Sequence, residues 1–210
     1  HRGLSAVLCR VPALQRTDGG RPKAAFLLGS ILYYGKIVKQ DYTRAMQLLS
    51  PLAMPGAKEL MAEMYYYGHG TARNVLKAEE LYQTIESGSD LAGNRLREIQ
   101  EEREKLFKSA VNAKESRRYK DALSMFLEAG NIGYAKAMIE AAHLLVGNDD
   151  PTIKNVSFAV EIYEKNIEIA GNLGLKNLAG IYASGADGVS ANPSKAVALY
   201  IKADKLGKED

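Results

Sequence analysis

Three marker residues recur along this chain with one offset. Gly35 and Gly68 lie 33 residues apart, and so do Asp41 and Asn74, and Ala45 and Ala78. The Leu48-Leu49 pair then falls on Leu81-Tyr82. Farther on, Ile162-Tyr163 follows Ala159, and Leu199-Tyr200 follows Ala196, with the two alanines 37 apart. A unit of that length cannot bury its own apolar face, so units must stack. A period of 33 to 37 residues with this content means stacked pairs of helices.

Each marker has a physical reason. Ala24, Leu28, Gly29 and Leu32 sit at i, i+4, i+5 and i+8, on one face of a helix. Ala57, Met61, Ala62 and Tyr65 repeat the pattern, and Leu175, Leu178, Ala179 and Tyr182 form a similar face. Small residues let two helix axes approach, and larger ones fill the remaining space. Gly35, Gly68 and Gly185 follow these runs, where helices commonly end in a left-handed residue. Asp41, Asn74 and Asn192 are placed to cap the next helix with an acceptor side chain. Pro193 suits the first helical position after such a cap.

Three stretches carry a family pattern: AAFLLGSILYYGKIVKQDYTRA, AKELMAEMYYYGHGTARNVLKAEELY and LAGIYASGADGVSANPSKAVALYIKADKLG. They resemble Sel1-like repeats, relatives of the tetratricopeptide repeat. The third is the fullest match, with Gly188-Val189, Lys195-Ala196, Leu199-Tyr200, Lys202-Ala203 and Gly207 in place. The resemblance covers residues 22–88 and 131–207. It departs from the pattern in having no Trp, in Leu32 where Tyr is usual, and in a long loop at Gly147–Asn155. It implies an all-α fold, an α-solenoid of antiparallel helix pairs wound as a right-handed superhelix. The helical period explains the apolar positions better than alternation does, so ten helices in five pairs are expected, with an eleventh before residue 20 left open.

The middle of the chain differs. Residues 91–119 (LAGNRLREIQEEREKLFKSAVNAKESRRY) carry one apolar face and the i,i+4 pairs Glu101/Lys105 and Glu104/Lys108, which predicts a single helix of 20 or more residues. RRYKDALSMFLEAG then reads as the second helix of a tetratricopeptide unit, packing Ala122, Phe126 and Ala129. This part is either a spacer setting the angle between two blocks or an overlong repeat. The expected organisation is a basic N-terminal segment over 1–21, two repeats over 22–90, the joining helices over 91–132, and further repeats over 133–210.

Signals for chemistry are sparse. Cys9 is the single cysteine, which excludes an intrachain disulfide. No run of about 18 apolar residues marks a membrane span. His1, His69 and His143 lack metal-ligand spacing, and no phosphate-binding, nucleophile-elbow or zinc-protease motif is present. Asp149-Asp150 before a proline reads as a cap or solvated turn. The expectation is no catalytic residue, no metal and no cofactor. Residues 1–17 hold three arginines and no acid, which suits the end of a transit peptide, a degenerate helix or a basic arm. That leans toward an organelle such as the mitochondrion; the ER lumen and a bacterial envelope stay open.

Twelve tyrosines stand against four phenylalanines. Tyr33-Tyr34 and Tyr65-Tyr66-Tyr67 end first helices, and neighbours on a helix point about 100° apart. In solenoids first helices line the concave surface, so Tyr34, Tyr66 and Tyr67 offer it stiff, half-polar contact area. The remaining concave-face candidates, from periodicity, are Lys58, Glu59, Glu63, Lys136, Glu140, His143, Lys176 and Asn177.

The resemblance implies a non-catalytic protein–protein interaction scaffold or adaptor, a subunit of a larger complex that holds a protein or peptide on its concave face. Such adaptors serve membrane-associated complexes, signalling and bacterial envelope or host contacts. Two alternatives are weaker. A hydrolase or penicillin-binding role belongs to cysteine-rich relatives, whose disulfides this chain lacks. RNA-binding helical repeats carry strong positive charge, whereas the net charge here is +3 and Glu59, Glu63 and Glu140 fall on the inner helices. No nucleic-acid partner is expected, and any membrane association would run through a partner. The close at KLGKED, without a capping helix, predicts that further residues, a partner or self-association covers that end.

Overall fold

A computed structural model describes residues 20–85, 89–147 and 150–207. The expectations for residues 1–17, Cys9 and Asp149, for an eleventh helix before residue 20 and for the last three residues of KLGKED lie outside the described residues. Among the described residues ten α-helices follow one another, as the period predicts. They are α1 (Gly20–Tyr34), α2 (Tyr42–Leu49), α3 (Pro55–Tyr67), α4 (Val75–Gln83), α5 (Asp90–Glu115), α6 (Tyr119–Asn131), α7 (Ala135–Val146), α8 (Val156–Lys165), α9 (Gly171–Ser184) and α10 (Pro193–Leu206). No strand occurs among the described residues. The chain divides into two compact units, with the boundary between Ile99 and Gln100, inside the 26-residue helix α5.

The loop joining the helices of a pair is built the same way three times, and its capping residue recurs a fourth time. Gly35, Gly68 and Gly185 take positive φ of 65°, 75° and 71° and end α1, α3 and α9. Asp41, Asn74 and Asn192 then do two jobs. Each side chain accepts the backbone N–H three residues on, from Arg44, Lys77 and Lys195, at 2.9–3.0 Å. Each backbone N–H donates back to the preceding helix, to the carbonyls of Leu32, Tyr65 and Tyr182, at 3.1, 2.8 and 2.7 Å. Asn155 repeats both bonds, to Phe158 N–H at 3.1 Å and Leu145 carbonyl at 3.0 Å, without a left-handed glycine in its loop. Orphan backbone groups at both helix ends are thereby satisfied by one residue. Within the long loop, Asp150 caps a short 3-10 turn (Pro151–Ile153) by accepting Thr152 N–H at 2.9 Å.

In unit 1, α1 to α3 close over Leu32, Ala45, Leu48, Leu49, Ala57, Leu60, Met61 and Met64. In unit 2, Ala110, Ala113, Ala122, Phe126, Ala129 and Ala137 join α5, α6 and α7, and a second core from Ile139 to Ala203 joins α7 to α10. Arg103, buried on α5, donates Nε–H to the Ile132 carbonyl at 2.6 Å at the end of α6.

Two expectations need correction. Ala24 is exposed, not part of the packing face. Helix α2 has 8 residues against 15 in α1, about 12 Å against 22 Å, and its last residue, Leu49, already packs on Gly29. The first turn of α1 therefore runs past α2. On α5 the pairing of Glu104 is with Gln100, whose amide donates to it at 3.0 Å, and not with Lys108.

Candidate functional site

The alternation of helices sorts side chains onto two sides. Phe26, Ser30, Tyr33 and Tyr34 stand at i, i+4, i+7 and i+8 of α1, and Gly56, Glu59, Leu60 and Glu63 at i, i+3, i+4 and i+7 of α3. With Leu91 of α5 they line a half-enclosed cavity of about 270 Å³ in unit 1. None of these residues belongs to α2 or α4. In unit 2, Phe107, Val111, Lys114 and Glu115 of α5, Tyr119 at the start of α6, and Lys136 and Glu140 of α7 line a more open groove of about 500 Å³. First helices thus carry a concavity in each unit.

Glu63 is the electrostatic centre of unit 1. Arg95 grips its carboxylate with both arms of the guanidinium, Nε to Oε1 at 2.7 Å and NH2 to Oε2 at 3.2 Å. The Tyr82 hydroxyl donates to Oε1 at 2.6 Å. Arg95 also reaches Glu98 at 2.5 Å and lies over the rings of Tyr66 and Tyr67, 5.7 and 5.3 Å from their centroids. Hydrogen bonding to Glu63 raises the Arg95 pKa further above its already high value. Burial first, then the Glu63 hydrogen bond, raise that of Tyr82. Burial, reinforced by the Glu63 charge, lifts Tyr33 to about 12. Tyr33 and Tyr82 are therefore neutral at physiological pH.

Beside this network lies an aromatic cluster. His69 stacks on Tyr42 at 4.4 Å and on Tyr67 at 5.4 Å, and Tyr33 packs edge-on against Tyr34 at 5.1 Å and Tyr42 at 5.5 Å. These contacts leave Tyr34 56% exposed and Tyr67 46% exposed. Among the eleven residues chosen from periodicity, Tyr34, Glu59 and Glu63 share the unit 1 cavity, with Tyr66 and Tyr67 on Arg95 beside it. Lys58 is half-buried and lines neither concavity.

In unit 2, Lys136 and Glu140 share the groove, and the Lys136 ammonium lies 5.5 Å from the Phe107 ring. Glu140 meets the His143 imidazole at 3.9 Å and the Lys114 ammonium at 2.9 Å. The His143 imidazole close by, then the hydrogen bond from Lys114, holds the Glu140 carboxyl down at about 2, against an ordinary 4.5. A folded value below the unfolded one stabilises the native state above pH 4.5, and that contribution fades as pH falls from 4.5 toward 2. Acid titration of unfolding free energy is expected to slope through that window, and Glu140→Gln to flatten it. Lys176 is exposed on α9 and lies apart from the groove, while Asn177 donates to the Tyr163 hydroxyl at 3.3 Å.

Sequence reasoning missed Phe26, Ser30, Tyr33, Leu91 and Arg95. The signal was present. Moving Glu59, Glu63 and Tyr66 back by the 33-residue offset gives Phe26, Ser30 and Tyr33, and moving Glu59 and Glu63 forward by 32 gives Leu91 and Arg95. Among the described residues, no group of three or more His, Cys, Asp or Glu side chains is arranged to hold a metal, and no helix is long and apolar enough to cross a membrane.

A family model for the Sel1 repeat matches residues 22–54, 55–84 and 173–207. Among solved structures, the protective antigen c5321 of uropathogenic Escherichia coli strains, described as displaying an SLR fold, is similar at 20% identity and a TM-score of 0.40. The match takes in 89% of this chain and 46% of that one, so this chain spans less than half of its length. A Sel1 repeat protein from Oxalobacter formigenes is similar at 20% identity and a TM-score of 0.43, over 89% of this chain and 71% of the other. No curated protein matches the chain.

Proposed function

We propose that this Sel1-repeat protein is a non-catalytic interaction module, a subunit of a larger complex that holds a partner protein or peptide segment on the concavities of its first helices. Sel1 repeats generally serve as protein-interaction scaffolds. The observation that carries the reading is the half-enclosed cavity of unit 1, where stiff, half-polar rings stand beside carboxylates on α1 and α3. Interface anchors are of this kind: large aromatic side chains that lose little conformational entropy when covered. The Lys136, Glu140 and Phe107 groove gives unit 2 a face of mixed charge. Tyr34, Tyr67 and Lys136 are the residues proposed to meet the partner most directly.

The exposed apolar residues Leu173 on α9 and Val197, Tyr200 and Ile201 on α10 support a second contact, with a partner or another copy of the chain. The test is size exclusion of the protein from its native source, with mass spectrometry of what co-elutes. A constant companion that is lost when Tyr34 and Tyr67 are both changed to serine is the expected result. Elution at the mass of a single chain with no companion would count against the reading.

A further inference from the structure

Within that reading, we infer that the unit 1 cavity receives one basic side chain, an arginine or lysine of the partner segment, between the rings of Tyr33 and Tyr34 and the carboxylate of Glu59. The protein already displays this mode of contact one repeat farther on, with the difference that the offset carries Glu63 back onto Ser30, so that Glu59 of α3 supplies the carboxylate here. There, the Arg95 guanidinium lies over Tyr66 and Tyr67 and forks onto the carboxylate of Glu63. The 33-residue offset carries Tyr66 and Tyr67 back onto Tyr33 and Tyr34. The pair of rings is therefore repeated, at 5.1 Å and nearly perpendicular in one case and 4.9 Å in the other.

Charge distinguishes the two places. Glu63 is matched by Arg95. Glu59, half-buried on the cavity wall, accepts only a neutral hydrogen bond, from the Ser89 hydroxyl at 3.0 Å, and no cation of the described residues pairs with it. A partly desolvated carboxylate beside aromatic faces favours a cation on both counts, through charge-assisted hydrogen bonds and through attraction to the ring faces. Lys36, 5.8 Å from the Tyr34 centroid, shows that this ring too accepts a cation. Phe26, Leu60 and Leu91 complete the wall and suit the methylene stem of a long basic side chain.

The test is a titration of the full chain, followed by backbone amide NMR, with three small probes: N-acetyl-arginine methylamide, the same derivative of norleucine, and that of glutamate. The arginine probe is expected to shift the amides of Ser30, Tyr34 and Glu59 saturably. Glu59→Gln, which keeps an acceptor for Ser89, is expected to weaken it about tenfold, and Tyr34→Leu, at an exposed position, about threefold. Equal binding of norleucine, an unchanged affinity in Glu59→Gln, or no shift with arginine would overturn the inference. The native companion separates this failure from that of the wider reading. If it still co-elutes while arginine fails to bind, only the basic-residue inference falls; if it too is absent, both fall.

Discussion

Arg95→Ala is expected to lower the unfolding free energy by about 2–4 kcal/mol, read as a lower urea midpoint at unchanged slope. The ion pair with Glu63 is largely withdrawn from water, with the two side chains 19% and 12% exposed. Removing the guanidinium strands a carboxylate that has only the Tyr82 hydroxyl left to bond, and it strips the cation from the face of Tyr67, while Tyr66 keeps Arg73. Loss of one partner from such a pair costs more than the pair's net worth, because the orphan stays desolvated. Arg95→Lys keeps the charge and loses the fork, so it should fall between, at about 1 kcal/mol. Adding Glu63→Gln to Arg95→Ala should return part of the loss, a coupling that a double-mutant cycle measures.

The second large effect lies in a loop. Gly70→Ala is expected to cost about 2–4 kcal/mol. Gly70 has φ of 70°, and a Cβ there would stand 2.6 Å from the Tyr42 carbonyl carbon and 2.8 Å from the Thr43 nitrogen. Both obstacles are backbone at the start of α2, so no rotamer change relieves them. The α3–α4 loop rests on the preceding pair through this glycine, with His69 stacked on Tyr42 beside it. Unit 2 repeats the device more loosely. Gly188, at φ of 87°, leaves 3.0 Å to the Ser157 hydroxyl, which donates to the Asp187 carbonyl at 2.8 Å. Gly93→Ala makes the control: it lies within α5 with nothing near its Cβ position, so alanine there should stabilise by up to about 1 kcal/mol.

These two sites show what was readable in the chain. The left-handed glycines and the Asp/Asn caps were visible at Gly35, Gly68, Asp41, Asn74 and Asn192, because local backbone chemistry demands those residue types there. Asn155 follows the same logic, four residues before Ala159 as Asn74 is before Ala78, and its unusual loop hid it. Gly70 offered no such clue. Its constraint comes from a neighbouring pair of helices and depends on a distance, not a pattern. Arg95 was hidden for a related reason. It is one of many charges on a polar-looking helix, and only the fold brings Glu63, 32 residues earlier, to its guanidinium. Tyr34, Glu59 and Glu63 were legible as one face because a single helical period and a single repeat offset place them there.

The central claim is that the partner held in the two concavities is met mainly by first helices, whatever second contact α9 and α10 make. Site-specific photo-crosslinking in the native source tests it most directly, with the crosslinker placed singly at Tyr34, Tyr67 and Lys136 on first helices and at Gln47, Gln83 and Lys120 on second helices. The first set should yield one crosslinked partner, identical by mass spectrometry, with the second set yielding little of it. Crosslinking of the same partner mainly from Gln47, Gln83 and Lys120 would contradict the claim and move the functional surface to the other side of the helix pairs.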